Sequence, residues 1–392
     1  MFAFLALAGL LAAAPAPAPP DGDGVATLGA DAEARWVPFD LTPGNQIRFT
    51  MTVDGKPVVA VLDTGVSYSV LGTGAAAVDP ARVRKGGRAT AIGGTVEIGW
   101  MPTREVTIGG LVRRGGGVSV AALPAIATGS AIPVDMLVGR DVTGNQALDI
   151  DYAARRFRLL PSGRMPFRGA VAPLAISRTR RIYESALTLG TRRLAPIVVD
   201  TGDGSAVTLS TPSWQAAAPA GLATTTTISF GLAGSTVSML TIVPDLALGA
   251  LVAHEVEVRV EPPGGFSQTI GVAGRIGSGF LQRYRVLLDP LAGRMILGPG
   301  PGADKPPPRS TSGVLLGIEK DRLRVLHVMR NSPAAAGGWH DGDEICAING
   351  TAIPADYATS TLANWSIGTP GTLIALRLCD GTSRDLTLRR FY

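Results

Sequence analysis

Histidine is scarce in this chain of 392 residues: three occur, at 254, 327 and 340, each in a different segment. A serine–histidine–aspartate hydrolase needs an imidazole held between nucleophile and carboxylate, and lone scattered histidines argue against one. Cysteine occurs twice, as Cys346 and Cys379. Neither lies in a Cys-x-x-Cys pattern and two thiols alone make no zinc site; they can pair in an oxidising compartment or remain as two buried thiols. Lysine stands only at 56, 85, 305 and 320, so arginine carries the net charge of +5. The arginines are scattered, with pairs at 113–114, 155–156, 180–181 and 192–193, and are not interleaved with aromatics. That pattern argues against a nucleic-acid groove and reads as solvated strand ends. No apolar run reaches the roughly 20 residues of a membrane-spanning helix. Residues 1–14, MFAFLALAGLLAAA, have the length of a secretion signal, although no basic residue precedes them and prolines follow at 15, 17 and 19. We expect residues 1–20 to be a signal peptide or apolar leader and the protein to be exported, with an uncleaved membrane anchor as the alternative.

Long amphipathic helical stretches are missing as well. Apolar content of 46% with 17% charge indicates a globular chain. Short β-branched runs broken by Gly, Pro and Asp indicate mostly β structure. Within that pattern, VVAVLDTG ends in Asp63-Thr64-Gly65 and APIVVDTG ends in Asp200-Thr201-Gly202. The matches continue downstream: Gly93-Gly94 against Gly231 and Gly234, and Leu137-Val138-Gly139 against Arg275-Ile276-Gly277. Asp151 and Arg156 then align with Asp289 and Arg294 at a common offset of about 138 residues. A period that long, against roughly 20–50 residues in solenoids, describes two domain-sized lobes.

An aspartate closing a buried strand before Thr-Gly has a physical use. Glycine lets its amide approach the carboxylate, and the threonine hydroxyl can reach the opposing loop. Two such carboxylates facing one water cannot both ionise, so one serves as base and its partner as acid; shared-proton dyads of this kind are the standard illustration of that splitting. The bland alternative is a pair of aspartates capping turns. Asp135, Asp151 and Asp289 read as turn residues, and Tyr68 as a core or barrel-edge aromatic.

The duplicated motif resembles retropepsin-like aspartic proteases over both lobes. The resemblance implies Asp63 and Asp200 as catalytic residues, supported by Thr64, Gly65, Thr201 and Gly202. It implies neither metal nor cofactor, and a peptide or protein substrate. Gly93, Gly94, Gly231 and Gly234 would sit in two flap hairpins, or in ordinary surface turns. The family pattern is broken after each Gly, where a small residue is usual and Val66 and Asp203 stand instead. Asp203 would raise the dyad's pKa values if it pointed inward and be harmless if it faced solvent. The stretch DTGDGS lacks the ligand run and closing glutamate of a calcium loop.

After a Pro/Gly linker, NSPAAAGGWHDGDEICAING (331–350) resembles PDZ domains of the bacterial periplasmic-protease type. It implies a short helix from Pro333, a strand EICAI, and an Asn349-Gly350 hairpin. Peptides would add as a strand near Gly313, Val314, Leu315 and Leu316, although Leu315 stands where a second carboxylate-binding glycine is usual. The combination is similar to a group of exported bacterial aspartyl proteases. The expected architecture is mostly β: two closed-barrel, retropepsin-like lobes at 36–161 and 171–299 forming a pepsin-like pseudo-twofold pair, a linker at 300–311, and an α+β PDZ domain at 312–392. We expect a monomer. A catalytically inactive peptide-binding scaffold on the same folds is the alternative.

Overall fold

The computed structural model describes residues 22–128 and 134–392; the leader at 1–20 lies outside them. The protein is mostly β, with strands gathered among the described residues into four sheets. In the first half, the hairpin Ile47–Val53/Lys56–Leu62 is followed by Met136–Val138, parallel to its second strand. Val70–Gly72, Gly117–Ala121, Gly94–Pro102 and Arg84–Ala91 then follow across the sheet.

The second half repeats this order. Tyr183–Leu189/Arg192–Asp200 is the hairpin, Gly274–Gly277 the parallel partner, and Val207–Leu209, Leu251–Val260, Gly234–Leu248 and Thr224–Gly231 complete the path. A pairing of Thr188 with Ala247 closes this second path into a ring. The first half closes the same way, through Thr52 opposite Thr107. There the long strand is interrupted at Thr103-Arg104, where the Asp54 carboxylate accepts the amides of Arg104 and Glu105.

The halves are joined by a six-stranded sheet. Ala147–Asp151 and Tyr284–Asp289 pair antiparallel at its centre, so the last strands of the two halves meet edge to edge. One continuous apolar core runs through both halves and this sheet. The polar leading segment is also built in, because Val25–Leu28 pairs with Leu111–Arg114.

One sequence-based expectation fails here. The arginine pair 113–114 does not lie on a solvated face: Arg113 is fully buried and bonds Asp141 at 2.8 Å and the Thr103 hydroxyl at 2.8 Å. Strand alternation is the reason, since neighbours 113 and 114 point to opposite faces. Arg114 is exposed accordingly.

The C-terminal part has its own core around Val325, Trp339, Ile345 and Leu376. Helix Pro333–Ala336 starts where Ser332 caps it, accepting the Ala335 amide. Asn349 and Gly350, both at positive φ, turn the chain after Glu344–Ile348, and Cys346 and Cys379 form a disulfide. This unit docks on Thr224–Gly231. Thr225 Oγ1 donates to Arg330 O (2.6 Å), the Arg330 amide donates to Thr226 Oγ1 (3.0 Å), and that oxygen lies 2.8 Å from His327 Nε2.

Candidate active site

Each aspartate closes a buried strand whose parallel neighbour supports it. The Asp63 amide donates to Val138 O, and Asp200 stands beside Gly277. The loops that follow are tied across the interface between halves. The Thr64 amide donates to Thr201 Oγ1 (3.1 Å), and the Thr201 amide donates to Thr64 Oγ1 (3.0 Å). Each hydroxyl then donates onward, Thr64 to Val199 O and Thr201 to Leu62 O. Both threonines are fully buried. Threonine suits the position because one hydroxyl both accepts and donates.

The glycines fix how close the two loops come. Gly65 and Gly202 donate their amides to Oδ1 of the aspartate two residues before, at 3.0 and 2.9 Å. A β-carbon on Gly65 would meet the Asp200 carboxylate, and one on Gly202 would meet that of Asp63. Each carboxylate therefore lies over the other loop's glycine. Gly202→Ala is expected to cost on the order of 1–3 kcal/mol through overpacking and to separate the carboxylates. Thermal unfolding beside a cleavage assay checks this; an unchanged Tm with full activity would refute the steric account.

The two carboxyls stand close enough to act on one another's protonation. Burial and the charge of Asp200 push the pKa of Asp63 well above the carboxylate range. Burial and the nearby Asp203 raise Asp200 to about 6, against the pull of Arg275. Two such groups titrate as a pair.

Asp203 points neither at solvent nor freely at the dyad. Its amide donates to Asp200 Oδ1 at 3.1 Å, while its carboxylate accepts from Arg275 Nε at 2.9 Å and from the Ser205 amide. Burial raises its pKa, but Arg275 and Ser205 outweigh burial and hold it below the ordinary value. Arg275, itself buried, reaches Glu261 at 2.7 Å and stands 4.0 Å from Asp200. Sequence reasoning passed over Arg275 as a site residue. The signal was present: arginine stands where the other half has Leu137, in a turn otherwise apolar-apolar-Gly.

The glycine hairpins meet tip to tip. Ala233 donates its amide to Ile92 O (3.2 Å), and a β-carbon on Gly93 would lie 2.6 Å from the Gly234 backbone. Gly231 fits so tightly against Ile92 that a β-carbon there would clash, and Gly94 faces Ala233. Each tip crosses to the opposite half: Leu232 packs against the cluster holding Val66 and Leu137, and Ile92 lines a pocket containing Arg275.

The remaining sequence candidates lie elsewhere. Gly313 has φ +83° and packs against Ser332, donating its amide to Ser310 Oγ, while the Val314 amide donates to Ser312 Oγ. Serine hydroxyls thus already occupy two amides of the expected carboxylate loop. Leu315 and Leu316 lie half-buried on the edge strand Val314–Ile318. Asp135, Asp151 and Asp289 accept the amides of Val59, Ala154 and Ala292.

Compared with known families, residues 49–142 match the model for the aspartyl protease family. That stretch runs from the first hairpin through the Asp63 loop and the Gly93-Gly94 hairpin to just beyond the Leu137-Val138-Gly139 turn. It supports a protease-like function and a peptide substrate. No curated protein matches the chain.

Proposed function

We propose that this protein is an aspartic endopeptidase whose two halves, a tandem pair of retropepsin-like lobes, together make one active site. The observation that carries the reading is the pair of facing carboxyls of Asp63 and Asp200, each lying over the other loop's glycine, beside two hairpins that meet tip to tip. The ionised member of the pair takes a proton from water as the water oxygen attacks the peptide carbonyl. The protonated member donates to the carbonyl oxygen, giving a neutral tetrahedral diol. Collapse of the diol returns a proton to the leaving amine and breaks the C–N bond. Tip-to-tip hairpins exclude bulk water in the closed state and must part to admit an extended chain. The threonine ties hold the two carboxyls in register without conformational cost at each turnover.

The C-terminal unit supports a PDZ reading through its capped Pro333–Ala336 helix, its Asn349-Gly350 turn and its free edge strand. Its role is recruitment of a peptide or protein by strand addition. The Ser310 and Ser312 hydroxyls at the loop amides favour binding of an internal segment over a free C-terminus. Export rests on residues 1–20 and on a Cys346–Cys379 disulfide, a bond that persists in oxidising compartments. The inactive-scaffold reading draws on Asp203 and Val66; Arg275 pairs with the Asp203 carboxylate at 2.9 Å.

The test is incubation of residues 21–392 with casein from pH 3 to 8, with and without a statine-type inhibitor. Inhibitor-sensitive cleavage is the expected result. Absence of cleavage across that range would favour the scaffold.

A further inference from the structure

The two walls flanking the dyad occupy equivalent places and differ in chemistry. Three residues after each aspartate stand Val66 and Asp203; two before the equivalent glycines Gly139 and Gly277 stand Leu137 and Arg275. In the first half, Val66 and Leu137 belong to an apolar cluster with Val61, Val70 and Ile98, and Leu232 of the opposite hairpin packs onto it. In the second half the same two places hold an ion pair, Asp203–Arg275, extended to Glu261 and to the Ser267 hydroxyl at 2.9 Å. Beside it lies a small pocket lined by Arg275, Thr236, Ser238 and Arg259, with Ile92 from the other half's hairpin.

The groups left over define what this pocket can take. Arg275 is spent on Asp203, Glu261 and Ser267. Arg259 gives Nε to Glu257 and Nη1 to the Ser229 hydroxyl, leaving Nη2 uncommitted among the described residues. The Thr236 and Ser238 hydroxyls also make no hydrogen bond among the described residues. Two arginines face three carboxylates, Asp203, Glu257 and Glu261, so no surplus positive charge attracts an acidic side chain. Those carboxylates are held by the arginines, so none is free for lysine. The spare groups are the NH₂ nitrogen of Arg259 and two hydroxyls, the complement of a carboxamide, whose oxygen accepts and whose NH₂ donates. With the hairpins closed the cavity is about 20 Å³, room for one or two waters, so a side chain enters only as the hairpins part, and the short carboxamide of asparagine needs less opening than that of glutamine.

We infer that Arg259 and Ser238, beside the Asp203–Arg275 pair, form a polar specificity pocket for a short carboxamide side chain, while Val66 and Leu137 accept an apolar one across the scissile bond. The inference rests on the dyad reading for the position of that bond. An apolar side chain at the second wall would leave Arg259 and the hydroxyls dehydrated and unpaired, and sites of that kind discriminate strongly.

The test uses three peptides with Leu-Asn, Asn-Leu or Leu-Leu at the central pair, each made both cleavable and with a non-cleavable hydroxyethylene isostere. Calorimetry on the isosteres reads binding, and peptide hydrolysis reads turnover. One mixed peptide is expected to be preferred over Leu-Leu by about tenfold or more in wild type. Arg259→Met and Ser238→Ala are each expected to reduce that preference. The triple change Asp203→Val, Arg275→Leu and Glu261→Gln is expected to shift preference toward Leu-Leu. Tightest binding of Leu-Leu by wild type, or a preference untouched by Arg259→Met, would overturn the pocket. Preference without turnover keeps the pocket and removes the peptidase reading; turnover without preference does the reverse. Failure to bind all three isosteres would overturn both.

Discussion

Asp200→Asn and Asp63→Asn are each expected to lower peptide cleavage by on the order of 10²–10⁴-fold, the usual worth of a general acid or base, while the folded protein gains stability at neutral pH. Both effects come from one cause. The carboxyls are drawn together out of water, Asp63 half-buried and Asp200 buried, so each has a raised pKa in the native state. A carboxyl with a raised native pKa contributes stability that is present below its unfolded value and lost as pH rises through the native value. Above pH 6, wild type therefore carries the cost of holding negative charge at a buried pair, and an asparagine removes it. For Asp200, raised from 3.8 to about 6, the relief is about 1–3 kcal/mol. Thermal unfolding at pH 4 and pH 8 reads this directly: the variant should exceed wild type at pH 8, and the difference should shrink at pH 4. Equal Tm at both values would deny the shared burial.

The same shifts set the activity profile. Turnover needs one proton on the pair. The acid limb should fall near pH 6, where the ionised member takes up its proton, and the alkaline limb higher, where the shared proton leaves. A neutral optimum is thus expected, because burial first and the Asp203 charge second hold Asp200 at about 6 against the pull of Arg275. Measuring kcat/KM from pH 4 to 9 tests this; an optimum near pH 4 would contradict it. An enzyme that weakens its own fold in order to hold a reactive pair is a familiar compromise.

Much of this site was legible in the residues. Two strands ending in Asp-Thr-Gly dictate where the chain turns and which side chains face inward, so the cross-loop threonines follow from pattern alone. So did the Pro333 helix and the Asn349-Gly350 hairpin, whose backbone demands are local. Three features were not legible. That Ile92 and Leu232 each cross to the opposite half depends on how two hairpins meet, which spacing does not encode. The pairing of Ala147–Asp151 with Tyr284–Asp289 joins strands of the two halves that lie far apart in sequence. The direction of Asp203 depended on Arg275, distant in sequence and unremarkable until Leu137 is set beside it.

Arg113→Met is expected to destabilise the protein by about 3–5 kcal/mol, because it leaves the Asp141 carboxylate buried without its counter-charge. Arg113 and Asp141 are both almost wholly enclosed, and their ion pair spans 2.8 Å. Asp141 Oδ1 also accepts the Ser69 amide and hydroxyl, each at 2.8 Å, and Ser69 Oγ in turn accepts the Gly139 amide. Gly139 follows Val138, whose carbonyl holds the Asp63 amide. The chain of contacts therefore runs from a buried ion pair to the backbone of a dyad aspartate. The second half does without it: Ala206 and Gly279 stand where the first half has Ser69 and Asp141. Each half thus buries a set of charges near its own aspartate of the dyad, the first behind the Met136–Val138 strand's turn and the second in the wall beside Asp200. The double variant Arg113→Met with Asp141→Asn separates the two contributions. If the single variant's loss is chiefly the orphaned carboxylate, the double variant should recover much of it, since Asn can still accept from Ser69. If the double variant is as unstable as the single, Arg113 acts through packing and its bond to Thr103. Urea unfolding of the three proteins distinguishes these outcomes, and a single variant within 1 kcal/mol of wild type would sink the argument altogether.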